Sequence, residues 1–157
     1  MDLSRYFETN DGSLPEIEVD FTSKESIHRA FAYLFELGAE NVTANGCYLW
    51  MHRESRDMPF SGPEDAQLVT SGLSASFHVV LDSIEVGGNK LPALGVLVDP
   101  NSLVIDYRMG PDWSRQNIGA LFNLLKSFIN LGGSVSVIRE WGPSGQEDFD
   151  RYLGCGA

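Results

Sequence analysis

The sequence predicts an α+β fold with a single, mainly antiparallel sheet of about five to six strands. Two segments repeat apolar residues at helical intervals, several short segments alternate apolar and polar residues, and turn signals separate the segments in mid-chain. Two main helices and a short C-terminal helix complete the prediction. The 157 residues, 43% of them hydrophobic, are enough for one domain, residues 1–157, with its own core.

The first strand is predicted at residues 16–21 (EIEVDF), which alternate strictly. Its apolar residues share one face, and Glu16, Glu18 and Asp20 share the other, roughly 7 Å apart from neighbour to neighbour. Such a row can receive an Arg- or Lys-rich partner or take part in a divalent cation site. The alternative is a solvated face that prevents edge-to-edge aggregation. The three carboxylates are therefore candidate partner-binding residues.

A helix is predicted directly after this strand, from about Ser23 to Leu37, because apolar residues recur there at helical intervals. Thr22 and Glu25 have the spacing of a capping box at its start. Gly38 ends the apolar pattern and marks the end of the helix.

A compact apolar run, CYLWM at residues 47–51, has strand character and follows the turn dipeptide Asn45-Gly46. Beyond it, residues 54–72 contain two prolines, two glycines and three serines, with no sustained period. They predict a long loop whose composition permits mobility. Loops of more than about 12–15 residues are uncommon in compact domains and are often functional, so this loop is a candidate site by anatomy alone.

An antiparallel meander of three strands is predicted in the middle of the chain. Apolar residues alternate through 77–82 and 94–98, and a further strand covers 103–108. The turn signals GGN at 87–89 and DPNS at 99–102 lie between these segments.

The C-terminal part begins with a second helix, capped by Asp112 or Ser114 and stopped by the glycine pair at 132–133. A last strand (SVSVIREW) and a final helix follow, and Ser144 and Glu147 form the capping box of that helix. The order strand, helix, glycine, strand thus occurs twice, ending first in CYLW and later in SVSVI. The two units are either an internal repeat or two instances of an order of elements that is common in α+β proteins.

The charge of the chain limits its partners. The sequence has 11 Lys and Arg against 22 Asp and Glu, a formal net charge of −11. Nucleic acid and anionic membranes are not expected as partners, because both are bound by clustered Lys and Arg. A basic protein is the partner that this charge favours.

A cytoplasmic location is predicted. The amino end lacks the basic and apolar regions of a signal peptide, and no apolar run approaches about 20 residues. The two cysteines are too few for a disulfide scaffold. We expect Cys47 to be a buried small hydrophobe and Cys155 an exposed thiol in the tail.

Sequence motifs for metal or cofactor chemistry do not occur. His28, His52 and His78 have no zinc spacing, and there is no GxSxG elbow, phosphate-binding glycine loop or EF-hand loop. We therefore expect no metal and no cofactor. The weak catalytic candidates are His52, Glu54 and Asp57, which form either a dispersed acid/base site or a solvated, mixed-charge entrance to the 54–72 loop.

Three aromatic residues are candidate partner-binding anchors, since Trp and other large aromatics are enriched where interfaces are strongest. They are Trp113 before the second helix, Trp141 at the end of the last strand, and Phe60 in the long loop. Trp113 is alternatively a staple against its own helix. If both tryptophans are exposed, each rims a separate binding edge.

The first functional hypothesis is a small acidic protein without catalytic activity that binds or neutralises a basic protein, in the manner of a bacterial immunity protein or antitoxin. One alternative is an enzyme with a dispersed acid/base site near the 54–72 loop. The other is a scaffold subunit that forms homo-oligomers through its sheet.

Overall fold

The structure, a computed structural model, describes residues 2–154. It is an α+β fold with a six-stranded antiparallel sheet, two small hairpins and four helices, as the sequence predicts. The strands are β1 (Glu16–Phe21), β2 (Glu40–Asn41), β3 (Tyr48–Met51), β4 (Arg56–Pro59), β5 (Phe77–Asp82), β6 (Glu85–Val86), β7 (Asn89–Lys90), β8 (Leu94–Val98), β9 (Ser102–Tyr107) and β10 (Gly133–Ser136). The helices are α1 (Lys24–Glu36), α2 (Ala66–Thr70), α3 (Arg115–Asn130) and α4 (Ile138–Leu153), and short 3-10 turns cover Ser4–Tyr6 and Pro63–Asp65.

The six strands lie in the order β10-β1-β9-β8-β5-β2, and every neighbouring pair is antiparallel. The meander β5-β8-β9 is confirmed, with the β6-β7 hairpin inserted between its first two strands. Because β1 lies between β9 and β10, the first strand in the chain is held by two of the last.

One face of the sheet is buried and the other is open. Along β1 the residues Ile17 and Val19 are fully buried, whereas the carboxylates between them are not. The same alternation holds along β5 and β9. The buried face joins α1, α3 and α4 in one hydrophobic core. Helices therefore cover one side of the sheet only, which leaves the carboxylate side to solvent.

The helix caps differ slightly from the predicted ones. At the start of α1 the capping residue is Ser23, whose side chain accepts a hydrogen bond from Ser26 N–H at 3.1 Å, and not Thr22. At α3 the prediction of Ser114 is confirmed, and Asn117 completes its capping box. Gly38 after α1 has φ of +100°, and a Cβ there would lie 2.9 Å from the Ser83 carbonyl oxygen, so the position requires glycine.

Residues 54–72 are not the long loop that their composition predicts. They contain β4, which pairs with β3 through Tyr48↔Pro59 and Trp50↔Asp57, and then the 3-10 turn and α2. The strand escaped detection because its residues do not alternate in polarity, and α2 is too short to show a helical period. Ala66 and Val69 of α2 are nevertheless fully or almost fully buried.

The last strand is shorter than the predicted segment 134–141. It ends at Ser136, and α4 begins at Ile138 with a kink at Gly142, where φ is +66°. The final helix predicted at Ser144 is thus the second half of a longer one. The side chain of Gln146 ends the strand, since its Oε1 accepts from Val137 N–H at 2.7 Å and its Nε2 donates to the Val135 carbonyl at 3.1 Å.

The two strand–helix–strand units are not equivalent. β9, α3 and β10 form one unit in the main sheet. In the first unit the strand that joins the main sheet is β2, whereas CYLWM pairs with β4 in a separate hairpin. The fold therefore gives no support to a repeat that ends in CYLW.

The amino end belongs to the core, which the sequence did not indicate. Phe7 is fully buried and stacks on Tyr107, with ring centroids 4.7 Å apart. The Tyr107 hydroxyl donates to the Tyr6 carbonyl at 2.8 Å. Cys47 is buried as predicted, and Cys155 lies outside the described residues. Among residues 2–154, no helix combines the length and the hydropathy that crossing a membrane would require.

Candidate binding face of the sheet

The helices leave one face of the six-stranded sheet uncovered. Strand register places its side chains in rows that run across the strands. One row is Glu16, Asp106, Gly95 and Val80, and the next is Glu18, Val104, Leu97 and His78. The face thus has half-buried aliphatic side chains in its middle and carboxylates towards the β1 side.

The predicted row of carboxylates is present on β1. Glu16 and Glu18 are half-buried and Asp20 is exposed. Burial raises the pKa of Glu18, and the negative charges of Asp20 and Asp99 raise it further. Like charges therefore oppose one another here at neutral pH, and a cation placed on this face would relieve that repulsion.

Cations of the chain itself neutralise this face only in part. Arg139 lies 3.8 Å from the Glu16 carboxylate, but its side chain is 83% exposed. At the β5 end of the same face, Lys90 lies 4.0 Å from Asp82. Exposed pairs of this kind are worth roughly 0–1 kcal/mol, so Arg139 and Lys90 are held only weakly at these carboxylates.

A histidine and a carboxylate meet at the centre of the open face. His78 on β5 and Asp106 on β9 are separated by β8, yet His78 Nε2 lies 2.6 Å from Asp106 Oδ2. The hydrogen bond with Asp106 raises the pKa of His78, and the charges of Asp106 and Glu16 add to this effect while burial opposes it. The His78 side chain is 44% exposed, so the pair is accessible to a ligand.

Gly95 on β8 makes this contact possible. A Cβ at position 95 would lie 2.3 Å from both carboxylate oxygens of Asp106. The Asp106 side chain therefore lies flat across β8, over the position that a larger residue would occupy. This is a close approach of a side chain to backbone, one of the reasons for glycine in a strand.

The predicted aromatic anchors are not arranged as separate binding edges. Trp113 is 2% exposed and packs against Phe7 with centroids 5.0 Å apart, while its Nε1 donates to the Arg108 carbonyl. Trp141 packs edge-on against Tyr6 at 5.0 Å. Both tryptophans thus contact the same N-terminal segment, and Trp113 has almost no surface to offer a partner.

Phe60, the third aromatic candidate, is half-buried on the core side of the molecule. Its ring lies 5.4 Å from Phe77, 6.1 Å from Phe35 and 6.2 Å from Phe31. These contacts within the chain explain why position 60 carries an aromatic residue, so no partner is needed to explain it.

The weak catalytic candidates lie near the turn end of the β3-β4 hairpin, with His52 and Glu54 in the turn and Asp57 on β4. His52, Glu54 and Asp57 are all exposed. Within residues 2–154 the structure gives these side chains no hydrogen bond or ion pair with one another. A shallow cleft of about 200 Å³ lies between α1 and the start of α2, and its lining includes His28, Glu64 and Gln67 but none of the three candidates.

The described residues also bear on metals. Within residues 2–154, no group of three His, Cys, Asp or Glu side chains is placed so that it could hold a metal ion. Glu16, Glu18 and Asp20 on β1 do not form such a group.

His78 and Asp106 are the site residues that sequence reasoning missed. Both stand on the polar side of alternating strands, but sequence alone gives no register between β5 and β9. The available signal was Gly95, an isolated glycine inside a strand pattern, which often marks a close approach.

Comparison with known proteins found no matching family model, no matching curated protein and no matching solved structure.

Proposed function

We propose that this chain is an acidic, non-catalytic binding protein that holds a basic protein on the open face of its sheet. The observation that carries the proposal is the crowded carboxylate row of β1, where burial and neighbouring negative charge raise the pKa of Glu18. A guanidinium or ammonium group bound there replaces charge repulsion with attraction. Neutralisation of a toxic basic protein, as by an immunity protein, is one form of this activity.

The half-buried aliphatic side chains support a protein partner over a free cation. Val80, Leu97 and Val104 share the open face with the carboxylate row and with the His78–Asp106 pair. Protein interfaces usually combine apolar side chains with polar and charged ones. The carboxylates accelerate the approach of a basic partner, and the aliphatic side chains add affinity that salt does not screen.

The test is capture of a partner from a lysate of the source organism by the immobilised chain, read by mass spectrometry at increasing salt. We expect a basic protein that is retained at low salt and released progressively as salt rises. The variant Glu16→Gln/Glu18→Gln/Asp20→Asn should weaken its binding by roughly tenfold or more.

A matched control separates the acidic face from the acidity of the whole chain. The variant Glu36→Gln/Glu64→Gln/Glu147→Gln changes the net charge equally, but at exposed positions away from β1. Binding to this control should stay close to that of the wild type. Equal loss in both variants, or no captured protein at low salt, would contradict the proposal.

An acid–base enzyme is the second candidate, and the observation that favours it is the accessible His78–Asp106 pair. A His and a carboxylate in hydrogen-bond contact can accept a proton from a bound hydroxyl or thiol. If this holds, His78→Gln should abolish an activity while lowering the free energy of unfolding by less than about 1 kcal/mol. The earlier site with His52, Glu54 and Asp57 stays a prediction, tested in the same way by His52→Ala.

A further inference from the structure

The outward face of the β3-β4 hairpin exposes aromatic side chains. Tyr48 and Trp50 are 54% and 45% exposed, whereas Leu49 between them is fully buried. Leu73 is 49% exposed and belongs to a segment that runs beside β3, since His52 N–H donates to the Leu73 carbonyl at 3.1 Å. We call Tyr48, Trp50 and Leu73 the aromatic face.

The aromatic face concentrates the exposed hydrophobic side chains of the molecule. Three of the six large hydrophobic side chains that are exposed within residues 2–154 belong to it. Together they expose roughly 300 Å², which is within the range of patches that are often functional on monomers. Pro59 lies opposite Tyr48 on β4 and lacks an N–H, which hinders strand addition at that edge. The face, and not the edge, is therefore the docking surface.

The charge around the aromatic face differs from that of the chain. The hairpin at residues 48–59 has two basic residues, Arg53 and Arg56, and two acidic ones, Glu54 and Asp57, all exposed. The whole chain has twice as many acidic as basic residues. Two copies with a net charge of −11 repel one another over most approaches, but not where these hairpins meet.

We propose that a second copy of this chain docks on the aromatic face and forms a two-fold symmetric dimer. A two-fold interface brings the same patch of both copies together, so it requires a surface that complements itself. An apolar centre with an equal number of positive and negative groups at its rim meets this requirement. A basic partner is instead attracted to the carboxylates of β1, so the dimer does not depend on the proposed function.

The area sets the strength of this dimer. An interface built around roughly 300 Å² of apolar surface per copy, or about 600 Å² from both copies, lies below the roughly 1,200–2,000 Å² of standard interfaces, so the association is weak and concentration-dependent. The dimer carries two acidic faces, and a partner with two basic sites would bind it with added avidity.

The test is the molar mass of the full chain, from sedimentation equilibrium between about 5 µM and 500 µM, a range that suits a weak interface. We expect the mass to rise from monomer to dimer, and to rise at lower concentration when added salt screens the net charge. Trp50→Glu should raise the dimer dissociation constant by roughly tenfold or more, because a central aromatic residue is replaced with a buried charge.

Ile138→Glu is the matched control, since Ile138 is 55% exposed but lies at the start of α4. It adds the same charge and should leave dimerisation close to that of the wild type. Leu73→Ser is a second, milder variant, and circular dichroism checks that each variant is folded. A monomer at all concentrations, with the aromatic face left for a different protein, would overturn the proposal, as would a dimer that both Trp50→Glu and Leu73→Ser leave unchanged.

Discussion

The two faces of the six-stranded sheet are made by the same strands but depend on different physics. On β9, Ile105 is fully buried, while Val104 beside it is half-buried among polar groups on the open face. The side chains allowed on the buried face are limited by their volume, because a close-packed core tolerates few changes of size. The side chains on the open face are limited by their charge and by the contact between His78 and Asp106. Substitutions on the two faces should therefore have different consequences, even at adjacent positions.

The largest difference is expected between Ile105→Ala and Val104→Ala. Loss of the fully buried Ile105 side chain should lower the free energy of unfolding by about 2–5 kcal/mol, because it removes buried area and leaves a cavity. Val104→Ala should cost less than about 1 kcal/mol, since its side chain already contacts solvent. Urea denaturation of both variants measures the contrast, and equal losses would show that the open face is packed as the core is.

Gly95→Ala is expected to have the next largest effect. The added methyl group would collide with the Asp106 carboxylate, so the contact with His78 must break and the fold should lose about 1–3 kcal/mol. Combining it with Asp106→Ala removes the obstructing carboxylate, so the double variant should be more stable than the sum of the single losses predicts. Strict additivity in this cycle would count against the role assigned to Gly95.

Gln146→Ala tests the hydrogen bonds at the end of β10, the strand at one edge of the sheet. It leaves Val137 N–H and the Val135 carbonyl without the amide that binds them, and should cost about 1–2 kcal/mol. Glu147→Ala, at an exposed neighbouring position, should cost less than about 0.5 kcal/mol. Thermal unfolding of the two variants decides the matter, and a stable Gln146→Ala would mean that water replaces the amide at no cost.

The smallest expected effect is a pH dependence from His78. The pKa of His78 is raised in the folded chain from an ordinary value of 6.5. The full stabilisation from its pairing with Asp106 is therefore present when the pH is below 6.5. The stabilisation is lost as the pH rises through the raised pKa. Because the side chain is 44% exposed, the change should stay below about 1 kcal/mol. Unfolding at about pH 6 and about pH 9 should show this loss in the wild type and not in His78→Gln.

The strands of the buried face were predictable because their apolar residues alternate, as along β1 and β5. Helices α1 and α3 were predictable for the same reason, since each repeats a long apolar stripe. β4 was not, because Arg-Asp-Met-Pro has no period and its pairing depends on β3. The start of α4 was predicted as strand, because Val137 and Ile138 are β-branched residues that favour strands. In the structure the Gln146 side chain binds the backbone of Val135 and Val137, and the strand ends there.

The open face was predictable only within one strand. Glu16, Glu18 and Asp20 belong together because two-residue spacing alone places them on one side. His78 and Asp106 are 28 positions apart in the chain and meet only through the register of three strands. Trp113 shows the reverse problem, because burial against Phe7 depends on an N-terminal segment that the sequence did not place in the core.

The position of β1 has a consequence for synthesis of the chain. Its pairing partners β9 and β10 follow some 80 or more residues later, so during translation β1 emerges long before either can bind it. Pairing at such separations is slow, and an unpaired apolar strand is prone to aggregation in the meantime. The negative charges at every second position repel like segments of other nascent chains. The same three carboxylates thus protect the strand before the sheet exists, whatever they later bind.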